Sequence, residues 1–287
     1  MIVKANAKIN LALNILNKNG EYHDLDMVML PLELHDSIDI TLLPHVYDTY
    51  VTCDDFSLET NQYNLASIAV NKMKEHFKID KSFRIHIHKN IPMSAGLAGG
   101  SANAAAVIRG IIELCKLKPT KEELIDIAKS IGADVTYCLF NKPARATGIG
   151  EKLQFIHPKN RFGVMLIKPK KGLSTKTVFH KYDEIGKKDN KATIENVIKG
   201  IEENDLDLLA TSVGNDLEES ATTLLPEIND IKQMMKDSGF KVVLMSGSGS
   251  SVFAIYNLKE KVNAIERKFI KLGYDVIITK TLDCKEE

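Results

Sequence analysis

Neither sign of charge dominates this sequence: 38 lysines and arginines stand against 38 aspartates and glutamates, a formal net charge of zero. That balance removes the global field that would favour nucleic acid or an anionic lipid surface, so neither is expected as a partner. Long hydrophobic runs are also missing. The apolar stretches are strand-sized, well short of a bilayer span. Lys4, Lys8, Asn10 and Asn14 interrupt the stretch from Met1 to Leu16, which argues against a secretory segment. The four cysteines, Cys53, Cys115, Cys138 and Cys284, form no CxxC pair. A disulfide framework is therefore not expected, and reduced thiols in a cytoplasmic protein are. No internal repeat or low-complexity segment occurs. What remains is a 287-residue chain, 44% hydrophobic and 26% charged, long enough for two domains of ordinary size.

Strand and helix patterns mix without the regular alternation of a doubly wound sheet, so an α+β protein of two domains is expected. Phe83, Ile85 and Ile87 alternate with Arg84, His86 and His88, the period of a half-buried strand. Asn103 to Leu117 is alanine-rich and then aliphatic, broken only by Gly110, and reads as a buried helix. Lys121 to Ile131 reads as a helix with Thr120 as N-cap, Glu123 completing a capping box and Gly132 ending it. After the turn-like His157-Pro158-Lys159-Asn160, Phe162 to Ile167 starts a new apolar strand, which sets the domains at residues 1–157 and 158–287. Ala192 to Glu203, Glu227 to Ser238 and Lys259 to Leu272 have helical spacing. Lys241 to Met245, Ser251 to Tyr256 and Asp275 to Thr279 read as strands.

The most informative segment is Ile91-Pro92-Met93-Ser94-Ala95-Gly96-Leu97-Ala98-Gly99-Gly100-Ser101-Ala102-Asn103. It follows a strand and opens a helix. Small residues let a polyphosphate approach the backbone, and the unpaired amides of the first helical turn point at it with the helix dipole behind them. The Ser101 hydroxyl could serve a phosphate oxygen or the Mg2+ that accompanies ATP. The segment is neither a Walker A sequence nor GxGxxG. A tight strand-to-helix connection is the bland alternative, but so many small residues at a helix start favour anion binding. A second glycine segment, Gly247-Ser248-Gly249, fits an ordinary tight turn as well as a substrate contact.

Three separated segments together resemble the GHMP kinase superfamily: Ala7-Lys8-Ile9-Asn10-Leu11, Pro92 to Asn103, and Met245-Ser246-Gly247-Ser248-Gly249. Within it the chain is most similar to the branch whose substrate is a cytidine diphosphate-linked sugar alcohol of the non-mevalonate isoprenoid route. The discriminating pieces are Gly20-Glu21-Tyr22-His23-Asp24-Leu25, Gly132-Ala133-Asp134-Val135, Gly148-Ile149-Gly150-Glu151 and Ser174-Thr175-Lys176-Thr177-Val178-Phe179.

The resemblance implies a ribosomal-protein-S5-like N-terminal domain, a ferredoxin-like C-terminal domain and an active site in the cleft between. It implies transfer of the ATP γ-phosphate to the 2-hydroxyl of the sugar alcohol. Lys8 and Asp134 match the catalytic pair, and Asn10 a substrate-contacting position. Tyr22 and Phe179 match aromatics that hold the cytosine, with His23 bonding its edge. Pro92, Met93, Ser94, Ala95, Gly96, Leu97, Ala98, Gly99, Gly100, Ser101 and Ala102 match the ATP loop, and Lys89 a position near the adenine. The chain departs from the family with Asn6 in place of proline, Glu21 in place of aspartate, and Ala98 and Ala102 where glycine and serine are common. Ala98 avoids a clash if its φ is negative; Ala102 offers no hydroxyl.

A tertiary hydroxyl is a poor nucleophile, so Asp134 would orient it and accept its proton while Lys8 stabilises the developing charge. Positioning and charge neutralisation supply the rest of phosphoryl transfer. The bland readings are a helix cap or turn for Asp134, a solvated strand lysine for Lys8, and core packing for Tyr22 and Phe179. His86 and His88 share one strand face, but no third ligand follows at useful spacing, and Asp54-Asp55 carries no assigned chemistry. Competing readings are a homoserine or mevalonate type of kinase, which needs no aromatic clamp, and a non-catalytic binding protein of the same fold.

Overall fold

A computed structural model describes residues 1–20, 22–44, 47–186 and 192–283; Glu21 and Cys284 lie outside the described residues. In chain order the elements are β1 (Ile2–Asn19), β2 (Tyr22–Leu43), β3 (Tyr50–Cys53), α1 (Leu65–Phe77), β4 (Ser82–His88), α2 (Gly99–Cys115), α3 (Lys121–Ile131) and α4 (Val135–Phe140). There follow β5 (Ala144–Gly148), β6 (Lys152–Phe155), β7 (Phe162–Lys168), α5 (Thr175–Ile185), α6 (Ile194–Glu203), α7 (Leu206–Ser212) and β8 (Gly214–Asn215). The chain ends with α8 (Glu218–Leu224), α9 (Glu227–Asp237), β9 (Val242–Met245), β10 (Val252–Asn257), α10 (Asn263–Lys271) and β11 (Asp275–Lys280). Among the described residues no helix is long and apolar enough to cross a membrane.

The chain forms two compact units. The first comprises Met1–Ala7, Leu34–Ile91 and Ala98–Asn141; the second comprises Lys8–Glu33, Pro92–Leu97 and Lys142–Glu287. In the first unit, β4 runs antiparallel to the end of β2, from Ser37 opposite His88 to Leu43 opposite Ser82. The edge strand β3 pairs parallel with β4, Tyr50 opposite Arg84 and Cys53 opposite Ile87. The expected alternation holds: Phe83, Ile85 and Ile87 are buried, whereas Arg84 and His88 are exposed. Helix α2 is buried almost continuously from Ala102 to Ile108, and it can lie that close because Gly110 has no side chain. A Cβ at Gly110 would stand 2.3 Å from Ile40 Cδ1. Thr120 and Glu123 form the expected capping box of α3, with both reciprocal hydrogen bonds present.

The second unit contains an antiparallel sheet in the order β11-β7-β10-β9. Taken in chain order from β7, that is the 4-1-3-2 arrangement of a ferredoxin-like fold, with β9 and β10 as its hairpin. The beginning of β2 pairs with β5, β5 with β6, and β1 with β8 in parallel. Two helices start later than their spacing suggests. Helix α6 begins at Ile194 because the Ala192 amide and carbonyl are held by the Asn14 side chain at 2.8 and 2.9 Å. Helix α10 begins at Asn263 because Asn257 and Glu260 close a turn through backbone and carboxylate hydrogen bonds. On the other side, α2 begins at Gly99, four residues ahead of the alanine-rich run.

Candidate active site

In the first unit the strand β4 delivers the chain to Lys89, and a buried carboxylate fixes what comes next. Asp36, fully buried, accepts hydrogen bonds from the amides of Asn90 and Ile91 at 2.7 and 2.8 Å. It also pairs with Lys89 Nζ at 3.0 Å, and the same ammonium donates to the Ile91 carbonyl. Lys89 is thus engaged internally at the entry to the glycine segment.

Helix α2 then starts at Gly99 behind Ala98, whose φ of +57° is left-handed. The condition under which Ala98 would be unstrained is therefore not met, and an alanine there costs about 1–2 kcal/mol relative to its ordinary conformation. Helical geometry leaves the amides of Gly99, Gly100 and Ser101 without a carbonyl four residues back, while the Ala102 amide already bonds to the Ala98 carbonyl at 2.9 Å. A Cβ built on Gly99 would lie 3.4 Å from Lys89 Nζ, so a lysine ammonium and a positive helix terminus share one place. Ala102 is buried.

Asp134 occupies the N-cap position of α4, yet its side chain makes no capping hydrogen bond. Only its carbonyl serves the helix, accepting from the Cys138 amide at 3.0 Å. The bland reading of Asp134 as a helix cap or turn residue thus holds for its backbone, which stands in the turn leading into α4, and not for its side chain. Asn6 uses its departure from proline: its Oδ1 accepts from Asn141 Nδ2 at 3.0 Å.

In the second unit Lys8 is 4% exposed, which rules out a solvated strand lysine. Its Nζ donates to Asn10 Oδ1 at 2.6 Å, and its amide donates to the Leu97 carbonyl. The two glycine segments meet beside it. The Ser246 hydroxyl donates to the Gly96 carbonyl at 3.0 Å, and the Ser251 amide to the Ala95 carbonyl at 3.3 Å. A Cβ at Gly247 would stand 3.2 Å from Lys8 Nζ. Asn215, which nothing in the sequence marks, holds this turn from the end of β8 by donating to the Met245 and Gly247 carbonyls at 3.0 and 2.8 Å. Ser94 and Gly96 both have positive φ, alternating with Ala95. Backbone of alternating hand turns successive amides toward one side, as in an anion-binding nest.

A second cluster of the same unit gathers aromatic rings. Tyr22 is 63% exposed and Phe179 half-buried, so neither is a core residue. The His23 ring lies 5.1 Å from that of Phe179 and edge-on to Tyr182. His23 Nε2 is 2.8 Å from Asp183 Oδ1, and Lys18 Nζ is 2.5 Å from Asp183 Oδ2. The Lys18 hydrogen bond holds the Asp183 carboxyl below its ordinary range, outweighing the upward push of burial, and His23 adds a smaller lowering. An ionised carboxylate only accepts, so His23 Nε2 carries the proton. Asp183 was hidden in the sequence; the available signal was its position four residues after Phe179 on one face of α5.

The chain matches the GHMP kinases N terminal domain over residues 64–142 and the GHMP kinases C terminal domain over residues 197–275. It is 37% identical, over 99% of both chains, to 4-diphosphocytidyl-2-C-methyl-D-erythritol kinase of Caldicellulosiruptor bescii. The kinase of the same name from Bacillus pumilus is 40% identical over 92% of this chain and 91% of its own. The chain belongs to the 4-diphosphocytidyl-2-C-methyl-D-erythritol kinase family of GHMP kinases. Its fold agrees with a crystal structure of 4-(cytidine 5'-diphospho)-2C-methyl-D-erythritol kinase, at TM-score 0.79 and 24% identity over 99% of this chain and all of that one. The mevalonate kinase of Methanococcus jannaschii shares the fold at TM-score 0.70 and 14% identity, over 99% of this chain and 98% of its own.

Proposed function

We propose that this GHMP kinase transfers the γ-phosphate of ATP to the 2-hydroxyl of 4-diphosphocytidyl-2-C-methyl-D-erythritol, a cytoplasmic step of non-mevalonate isoprenoid precursor synthesis. The observation that carries the proposal is identity of 37% along essentially the whole length of a relative bearing that name. Residues 1–157 and 158–287 are its N-terminal and C-terminal GHMP kinase domains.

The residues fit these roles on physical grounds. Within the segment Pro92 to Ala102, the main-chain amides of Gly99, Gly100 and Ser101 hold the polyphosphate. Exposed Gly100 and half-buried Ser101 stand at the open end of α2, where anionic oxygens are favoured. Mg2+ neutralises phosphate charge when bound with ATP, and Ser101 Oγ is the side-chain oxygen this first turn offers to it or to a phosphate. Asp134, with its carboxylate not committed to capping α4, accepts the proton of the 2-hydroxyl as that oxygen attacks the γ-phosphorus and ADP departs. Lys8, oriented by Asn10, stabilises the negative charge on the attacking oxygen.

Tyr22 and Phe179 stack on the cytosine. His23 reads its edge: with Nε2–H directed at Asp183, Nδ1 is the ring nitrogen left to face the base, an acceptor when it carries no proton. An acceptor suits the exocyclic amino group of cytosine and opposes the carbonyl oxygen of uracil in the same place.

An ADP-release assay over a panel of acceptor alcohols tests the reading. ADP is expected with the diphosphocytidyl substrate and not with mevalonate or homoserine; the reverse pattern overturns it. Asp134→Ala is expected to lower turnover by about 10²–10⁴-fold while ATP still binds. Unchanged turnover removes the role given to Asp134.

A further inference from the structure

His86 and His88 stand on the same face of β4, and the third group that local sequence fails to supply arrives from the neighbouring strand. Because β3 runs parallel to β4 with Thr52 opposite His86, the residue just past its end, Asp54, comes level with His88. His88 Nδ1 is 3.5 Å from Asp54 Oδ2. The two imidazole rings are packed edge to face with centroids 4.6 Å apart. One ligand atom from each of Asp54, His86 and His88 lies within 4.8 Å of the others. We infer that Asp54, His86 and His88 form a binding site for one Zn2+, stapling the edge strand β3 to β4.

The chemistry selects the ion. Two neutral imidazoles and a carboxylate suit a borderline first-row cation, not Ca2+ or Mg2+, which prefer all-oxygen sites. Tetrahedral Zn2+ with bonds of about 2.0–2.1 Å sets its ligands about 3.3 Å apart. The observed spacing closes to that by small side-chain rotations, chiefly of the exposed His88, within the hydrogen bonds that hold the other two ligands. Water completes the coordination on the solvent side.

The outer partners that orient metal ligands are already in place. Thr52 Oγ1 is 2.8 Å from His86 Nδ1, which fixes that ring and leaves its other nitrogen for a metal. The Lys89 amide donates to Asp54 Oδ1 at 2.9 Å, leaving Oδ2 toward His88. An edge strand of four residues, paired on one side, gains most from such a cross-link. The staple also reaches the backbone of Lys89, at the entry to the glycine segment.

The test uses untagged full-length protein titrated with Zn2+ by calorimetry, with backbone hydrogen exchange recorded with and without the ion. One equivalent is expected to bind in the low-micromolar range, with slower exchange over residues 50–54. His88→Ala and Asp54→Asn are expected to weaken binding at least tenfold and to abolish the exchange effect. Thr52→Val, which touches no metal, is expected to weaken it by about 10-fold through His86. All three should melt like the parent protein in the presence of a chelator, which separates lost coordination from lost folding. No uptake at millimolar Zn2+, or binding and protection that persist in His88→Ala and Asp54→Asn, overturns the assignment.

Discussion

A Cβ added at Gly96 would stand 2.0 Å from the Ser246 carbonyl oxygen, whereas one added at Gly100 would have Leu65 Cδ1 as its nearest neighbour, at 3.5 Å. Gly96, Gly247 and Gly249 all have positive φ, and each would place a Cβ 3.0 Å or less from a neighbouring atom. At Gly96 and Gly247 the fold itself demands glycine, because two backbone segments pass too closely for any side chain, and at Gly249 the Met245 thioether fills the space. At Gly100 φ is ordinary for a helix and the contact is ordinary van der Waals packing. Among the described residues, nothing around Gly100 requires a missing side chain. A small residue in such a place is explained by what approaches from outside, and the polyphosphate of ATP is that occupant in the proposed reaction. One residue type therefore serves backbone packing in one segment and ligand approach in the other.

The sharpest way to break this comparison is Gly96→Ala. Collision with backbone and a left-handed φ together predict destabilisation above about 4 kcal/mol, measurable as loss of folded protein or of the urea midpoint. A well-folded variant would show that the segment is loosely held. Asp36→Ala comes next. It strands a buried lysine and two amides, and is expected to cost about 3–5 kcal/mol in chemical unfolding; a loss below about 1 kcal/mol would reduce the pair to a surface interaction.

Ala98→Gly should act in the opposite direction. Removing left-handed strain is expected to raise stability by about 1 kcal/mol, and a decrease would mean that the Ala98 methyl contributes packing that outweighs the strain.

The smallest effect concerns Asp183. Its folded pKa lies below the unfolded value near 3.8, so its contribution is present above that pH and lost as pH falls through the folded value. The stability difference between parent and Asp183→Asn should therefore be seen at neutral pH and vanish in acid. A difference that persists in acid would show that packing, not charge, is responsible.

Much of this was legible in the sequence because the signals are local. The capping box at Thr120 and Glu123, the alternation along Phe83 to His88 and the β9–β10 hairpin all depend on neighbours within a few residues. What escaped is carried by long-range pairing. Asp36 meets Lys89 across 53 residues and His23 meets Asp183 across 160. Asp54 reaches His88 only because β3 lies parallel to β4. The hand of Ala98 escaped for another reason: an alanine gives no hint of positive φ, since the strain is imposed by the turn into α2.

The most direct test of the central claim is Gly100→Ala, read by ATP affinity and thermal melting on one preparation. The account predicts a melting temperature close to that of the parent protein and ATP binding weakened by about 10-fold, equivalent to about 1.4 kcal/mol. Unchanged ATP affinity in a variant that melts normally would contradict the placement of the phosphates at the start of α2.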